Sequence, residues 1–280
     1  MKSKLFLSLF GLLMLVFLVI TGCGSTATSV LYDTPNWMPD GRIICNKLVV
    51  TTSQQFYGGG VTDSHGYIAA FWPSGTGEVN LFEANGLPTC SPTGELIAFF
   101  GNDGIIISDY SGHKTTVPNT SNVRYLDWSP DATKLAYSDT SRDLYVINRD
   151  GTGKTKISTS AEAVAWRVGE KIAYEFTESG YNYLGRINSD GSSREGFGDL
   201  SVYSPQISSL NSDYIYGKAA SAYRKLDVSG AAPTEEVLIP SFDFYIPRLS
   251  FDNSKLVSGA YGDSGIWLIN IDGTGAVKIR

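Results

Sequence analysis

From Asn36 onward the chain alternates short apolar runs with polar turns, and the alternation itself repeats. One phrase marks the repeat: Asn36-Trp37-Met38-Pro39-Asp40-Gly41, Thr89-Cys90-Ser91-Pro92-Thr93-Gly94, Asp127-Trp128-Ser129-Pro130-Asp131-Ala132 and Ala165-Trp166-Arg167-Val168-Gly169-Glu170. Degraded copies stand at Gln206-Ile207-Ser208-Ser209 and Arg248-Leu249-Ser250-Phe251-Asp252-Asn253. The anchor residues Trp37, Cys90, Trp128, Trp166, Ile207 and Leu249 are separated by 53, 38, 38, 41 and 42 positions. After each phrase comes an apolar segment, as at 96–100, 134–138 and 171–175, too short and too rich in β-branched and aromatic residues for a helix. A second segment, as at 104–108, 143–148 and 265–270, ends in a glycine turn such as Ser111-Gly112, Asp150-Gly151, Asp190-Gly191, Ser229-Gly230 or Asp272-Gly273. Asp-Gly between apolar runs is a hairpin signal, because glycine readily takes the positive φ of a tight turn. A last short strand closes the unit, as at 155–158 and 277–280.

Four strands in about 40 residues, repeated with no helical periodicity, predict an all-β fold, a six-bladed β-propeller of four-stranded blades over residues 36–280. The stretch from Trp128 to Ser138, followed by Asp143 to Gly151 and then Lys156-Ile157-Ser158, resembles the WD-like repeat of TolB-type propellers and of the propellers on prolyl-oligopeptidase relatives. The likeness extends from Asn36 to Arg280 and is weakest in the fifth repeat. It implies a central channel with the first strand of each blade innermost. It does not imply TolB's activity, since TolB carries an α/β domain before its propeller and here only residues 24–35 separate Cys23 from the first repeat. An oligopeptidase would need a hydrolase domain, and no Gly-x-Ser-x-Gly elbow occurs. Ring closure is expected to bring residues 30–32 beside residues 277–280 as an outer strand.

The N-terminus follows another pattern. Lys2 and Lys4 precede an apolar run from Leu5 to Ile20, interrupted by Ser8 and Gly11. A bilayer-spanning helix needs about 20 such residues, so this run reads as the core of a signal peptide. It ends in Ile20-Thr21-Gly22-Cys23, which resembles the bacterial lipobox, where the cysteine thiol receives diacylglycerol before cleavage in front of it. The expected organisation is a signal peptide at 1–22, a lipidated N-terminus and linker at 23–35, and the propeller. Burying acyl methylenes is worth about 0.8 kcal/mol each, and stable attachment needs more than one chain.

Loss of Lys2 and Lys4 with the signal peptide moves the formal charge from −6 to −8, and no basic run occurs anywhere, which argues against a nucleic-acid partner. Cys45 and Cys90 are either a disulfide, which an oxidising exterior permits, or two small buried side chains. Gly151-Thr152-Gly153-Lys154-Thr155 lacks the first glycine of a phosphate loop, and the phrases at 148–151, 188–191 and 270–273 lack the remaining ligands of a calcium loop. They are read as hairpin turns. His65 and His113 are the only histidines, too few for a zinc site or a catalytic triad, and no cofactor is expected.

Strand direction alternates, so the loops joining second to third strands emerge on the same side as those entering each new blade. The opposite side receives the repetitive turns at Asp40-Gly41, Asp131, Asp150-Gly151 and Asp272-Gly273. Blade 1 carries extra residues between its second and third strands, a polar, glycine-rich stretch at 51–66 that reads as a loop. The irregular side thereby collects Phe56, Tyr57, Asp63 and His65 from blade 1, Asp139 and Arg142 from blade 3, and Glu178 and Tyr181 from blade 4. Tyr223 of blade 5 and Tyr261 and Asp263 of blade 6 complete it. Aromatic rings with a few charges suit a recognition surface, although ordinary solvated loops share the composition. The expected function is a lipid-anchored module on the extracytoplasmic side of a bacterial membrane that binds an envelope protein, peptide or glycan. The alternative is a propeller lyase or glycoside hydrolase using carboxylates and tyrosines of the channel.

Mass spectrometry of the membrane fraction should find the mature chain beginning at a diacylglycerol-modified Cys23, and Cys23→Ala should release or mislocalise the protein. A free thiol on Cys23, or retention of residues 1–22, would refute the lipobox.

Overall fold

Each repeat folds as one sheet because its apolar segments are adjacent and joined by tight turns. The computed structural model describes residues 26–53, 60–197, 203–207, 213–219, 221–230, 232–241, 244–260 and 263–280. Blade 1 comprises β1 (Thr26–Trp37), β2 (Ile43–Ser53), β3 (Gly60–Phe71) and β4 (Val79–Glu83). Blade 2 comprises β5 (Thr89–Cys90), β6 (Ile97–Gly101), β7 (Gly104–Ser108) and β8 (Lys114–Thr116). Blade 3 comprises β9 (Val123–Trp128), β10 (Lys134–Asp139), β11 (Leu144–Asn148) and β12 (Thr155–Ser158). Blade 4 comprises β13 (Ala161–Ala165), β14 (Lys171–Glu178), β15 (Tyr181–Asn188) and β16 (Glu195–Gly196). Blade 5 comprises β17 (Tyr203–Ile207), β18 (Tyr214–Ala219), β19 (Ala222–Asp227) and β20 (Thr234–Ile239). Blade 6 comprises β21 (Phe244–Leu249), β22 (Lys255–Ala260), β23 (Asp263–Asn270) and β24 (Val277–Lys278). Every sheet has four antiparallel strands in sequence order, as the repeat requires.

Both faces of a blade are covered. In β10, Leu135 and Tyr137 enter the seam with blade 2 while Ala136, on the opposite face, enters the seam with blade 4. The period of two thus supplies two seams from one strand, which is why the second strands read as nearly continuous apolar runs. Six hydrophobic clusters result, one for each seam. Trp128, Tyr137 and Tyr174 are fully enclosed, and each such side chain contributes about 1.5–3 kcal/mol or more by leaving water. Cys45 lies in the blade 6–blade 1 seam and Cys90 in the blade 1–blade 2 seam. Both are free and buried, so the disulfide alternative fails: the blade 1 sheet lies between two thiols that would need Cα atoms within about 7 Å.

The repeated phrases are turn chemistry. In blade 3, Ser129 Oγ donates to Asp131 Oδ1 at 2.7 Å and accepts the Lys134 amide at 2.8 Å, and Ala132 takes φ +56°. Ser250, Asp252 and Lys255 repeat the arrangement in blade 6, with Oγ–Oδ1 2.6 Å and N–Oγ 3.0 Å. At the hairpin after the third strand, the Thr152 amide donates to Asp150 Oδ1 at 2.9 Å beside Gly151 at φ +87°. Asp190 and Asp272 do the same, so these aspartates are engaged in their own turns.

Three expectations are corrected in blade 1. Residues 30–32 do come beside the C-terminus, with the Arg280 guanidinium 5.7 Å from the Tyr32 ring centroid, but as part of β1, pairing with residues 47–49 of β2, and not as an outer strand of blade 6. β1 begins at Thr26, ten residues before the expected boundary. The supposed loop at 51–66 is largely strand: β2 runs to Ser53 and β3 starts at Gly60 with the two paired, leaving only 54–59 outside the described residues. Alternating β-branched residues such as Val49 and Thr51 favour that extension over a loop. With 11 and 12 residues, β2 and β3 reach about 36–40 Å, roughly twice the length of β6 or β10. Together with β1 they form a three-stranded arm extending past the propeller body.

The ring closes through side chains, since each blade is a contiguous stretch. The Trp37 indole donates to the Arg248 carbonyl at 3.0 Å across the seam between blades 6 and 1. Arg280 pairs with Glu78 at 3.1 Å and lies 4.5 Å from the Phe71 ring centroid. Trp37→Ala should therefore cost about 3–5 kcal/mol of unfolding free energy, whereas Trp72→Ala, at a ring that is 46% exposed, should cost well under half of that. Urea denaturation followed by circular dichroism measures both, and similar losses would contradict closure through the Trp37 seam.

Candidate functional site

The innermost strands set the channel chemistry. The anchor residue turns back toward the preceding blade, as Trp37 and Trp128 do, and the residue before it therefore turns toward the following blade. Among the described side chains those preceding positions are Asn36, Thr89, Asp127, Ala165 and Arg248. Three of them latch forward: Asn36 Nδ2 donates to the Pro88 carbonyl at 3.4 Å, Thr89 Oγ1 to Asp127 Oδ1 at 3.3 Å, and Asp127 Oδ2 accepts the Trp166 amide at 2.9 Å. Indoles latch backward, Trp128 Nε1 donating to the Thr89 carbonyl at 3.1 Å. Blade 4 departs from the scheme, because Trp166 Nε1 donates to Gly169 within its own turn at 3.0 Å.

Arg167, in the position that serine holds in blades 2, 3, 5 and 6, reaches across to blade 6. Its Nη1 donates to the Leu249 carbonyl at 2.8 Å and its guanidinium lies 4.6 Å from the Phe251 centroid. Arg167, Arg248 and Asp127 line a narrow cavity of about 30 Å3, open to solvent, whose walls include Pro35, Leu87, Pro88, Phe100 and Tyr125 together with Thr34, Asn36 and Thr89. These charged groups lie deep within the protein yet retain partial solvent access, as channel-lining groups do. Burial raises the carboxyl of Asp127 despite the arginines and amides facing it. Burial also lowers both guanidinium values, with Asp127 opposing.

A second charged cluster lies on the irregular face, between blades 3 and 4. Glu162 accepts from Arg124 Nη1 and from Arg142 Nε, each at 2.7 Å. Glu175, 6% exposed on β14, is pushed up to about 7, first by burial and then by the Glu162 carboxylate, with Arg142 opposing.

The expected recognition face divides accordingly. Arg142 joins the Glu162 cluster. Asp139 closes its own hairpin, accepting the Ser141 and Asp143 amides at 2.9 and 3.0 Å. Glu178 is exposed and pairs in register with Tyr181 across the hairpin formed by Ser179 and Gly180. His65 lies on the arm between Glu83 at 2.8 Å and Asp63 at 3.0 Å, both of which raise its pKa. Asp263 begins β23. Tyr223 is a correction: it is 0% exposed in the seam between blades 5 and 6, because the alternation of β19 turns it inward. Cys23, Phe56, Tyr57 and Tyr261 lie outside the described residues. Asp127, Arg167, Arg248, Glu162 and Glu175 escaped the sequence reading. The available signal was a charge standing at a repeat position where other blades carry a small or neutral residue.

No protein-family model matches the sequence, and neither does any curated protein sequence. Solved structures match in fold. A nidogen–laminin complex contains a chain superposing with TM-score 0.61 at 10% identity, over 90% of this chain and 92% of that one. TolB from Acinetobacter baumannii superposes with TM-score 0.60 at 14% identity, covering 89% of this chain and 62% of the TolB chain. This chain therefore spans less than two thirds of that TolB. An oligogalacturonate lyase in complex with manganese gives TM-score 0.58 at 12% identity, over 90% of this chain and 78% of that one. The protein is a TolB-like six-bladed propeller, and the likeness at these identities is one of fold.

Glu175 provides a test of the charged cluster. Its folded-state value near 7 exceeds the ordinary 4.5, so between those limits the folded chain holds a proton that the unfolded chain has released. This contribution is complete below the lower value and declines as pH rises through the upper one. Glu175→Gln should therefore raise stability by roughly 1–3 kcal/mol near pH 8 and leave it unchanged near pH 4. Equal effects at the two pH values, measured by urea unfolding, would contradict the assignment.

Proposed function

We propose that this chain is a lipid-anchored binding propeller, tethered through Cys23 on the extracytoplasmic side of a bacterial membrane, whose channel engages an envelope protein, peptide or glycan. The observation that carries this reading is the composition of the channel. Two arginines share the lining with polar residues and with apolar ones such as Leu87 and Phe100, and the one carboxylate of the lining, Asp127, is occupied by the Trp128 and Trp166 amides at 2.9 Å each. Fixed polar groups converging on a concavity orient whatever binds there. The arm supports the tether, because Cys23 precedes Thr26 by only three residues, a reach of about 11 Å. The propeller thereby stands off from the membrane on an extended sheet.

A propeller enzyme is the second reading, and the cluster of Glu162 and Glu175 is the observation on its side. A carboxyl titrating near neutrality beside a second one held by two arginines is the pairing that proton-transfer chemistry uses. On this reading oligogalacturonate, named in one structural neighbour, is the first substrate to try.

A photocrosslinking side chain at position 87, beside the cavity, should yield a discrete adduct in intact cells, while one at position 131, on the turn face, should not. Equal adducts from both, with no dependence on membrane attachment, would refute channel engagement. Turnover of oligogalacturonate that is lost in Glu175→Gln would favour the enzyme.

A further inference from the structure

The arm of blade 1 has two unlike faces. Register pairs Leu31 with Leu48, Ser29 with Val50 and Ala27 with Thr52 across β1 and β2, and it pairs Val50 with Ser64 and Thr52 with Val61 across β2 and β3. Residues opposed in this way share one face of the sheet. Asp33, paired with Asn46, is the last charge on it; from Leu31 outward the face carries none among the described residues. The other face carries Lys47, Asp63 and His65, with Glu83 of β4 bonded to His65. Nearer the hub the uncharged face packs against blade 2 through Ile44 and Ile68. The β6 and β7 strands of blade 2 have only five residues each and turn back between Gly101 and Gly104, so the outer part of the face has no blade to meet. Ala27 and Ser64 are exposed there, and Val61 is 65% exposed.

We propose that this uncharged face leans on the lipid bilayer, with the stretch from Leu31 and Leu48 out to Ala27 and Val61 seated in the interfacial zone. This rests on the reading of Cys23 as the lipid anchor. Three residues separate Cys23 from Thr26, a reach of about 11 Å, so the outer end of the arm stays at the membrane surface and only the choice of face is open. Seating the other face would take the carboxylates of Asp63 and Glu83 out of water, which is costly. Attraction to anionic lipids offers no compensation, because the chain from Cys23 onward carries a formal charge of −8. On the uncharged face the side chains of Ala27, Leu31, Leu48, Val50 and Val61 gain by leaving water, and the hydroxyls of Ser29, Thr52 and Ser64 keep headgroup and water partners at that depth. A second copy is a poorer occupant. Three strands of seven residues offer roughly 300 Å2, against about 800 Å2 per partner in a stable dimer. At a membrane the acyl chains already hold the protein, and a small area suffices to set its inclination.

The test uses the full lipidated protein in phosphatidylcholine vesicles, with a nitroxide label on Val50→Cys or on Val49→Cys, neighbours on β2 that point to opposite faces. Cys45 and Cys90 are buried, so the label goes to the introduced thiol. Relative to the same variants carrying Cys23→Ala in solution, the label at position 50 should lose most of its collisions with an aqueous nickel chelate and gain collisions with oxygen. The label at position 49 should stay open to the chelate. Val61→Cys, at an exposed position of the uncharged face, repeats the measurement if Val50→Cys does not fold. Ser64→Asp should restore chelate access at position 50 while flotation with the vesicles and the melting curve stay unchanged. Equal accessibility at positions 49 and 50, or protection of 49 alone, in protein that floats with the vesicles would overturn the proposal and leave the tether standing. Dipolar broadening at position 50 that dilution with unlabelled protein relieves would give the face to a second copy. Failure to float would overturn the tether, and this inference with it.

Discussion

A four-stranded sheet of about 40 residues has two apolar faces and nothing of its own to cover either. That unmet need governs the molecule. Each blade is stable only between two neighbours, and the chain satisfies all six at once by closing a ring of six apolar seams. The demand falls hardest on the junction of first and last blades, where no covalent continuity helps. Trp37, Phe71, Glu78 and Arg280 are concentrated there for that reason.

Closing the ring crowds the innermost backbone into a hub where carbonyls and amides at strand ends lack ladder partners, and buried groups of this kind must find others. The indoles of Trp37 and Trp128 and the side chains of Asn36, Thr89 and Asp127 supply them. Blade 4 breaks the scheme with Arg167, and blade 6 with Arg248. The hub thus uses one ring of positions for cohesion in blades 1 to 3, and carries an arginine at that position in blade 6 and two residues further along in blade 4.

The periodic part of this was legible in the sequence because turns and alternation are local. The spacing from Trp37 to Leu249 marks the blades, and Ser129, Asp131, Asp150 and Gly151 close the turns by their own short-range bonds. What crosses between blades was not legible. Tyr223 was assigned to a loop face because it follows a turn, yet a single step of strand register sends it into a seam. Glu162 gains its meaning from Arg124 and Arg142 of the previous blade, and Cys45 and Cys90 are kept apart by a sheet that no spacing reveals. The extra residues of blade 1 read as a loop because three consecutive glycines outweigh the β-branched residues before them.

The blade 1 arm has a mechanical side. β1 enters at its free end and runs inward to Trp37, paired antiparallel with β2 along its length. A pull on the N-terminus directed away from the propeller acts along the axis of β1 and slides it against β2. The ladder from Thr26↔Ser53 to Trp37↔Ile43 is then loaded in shear, its bonds sharing the force together instead of opening one after another. Beyond the ladder, β1 is stapled to blade 6 by the Trp37 indole, so the strand that bears the load is also the one that locks the ring. A tether attached at this point transmits tension along β1 into the seam that closes the ring.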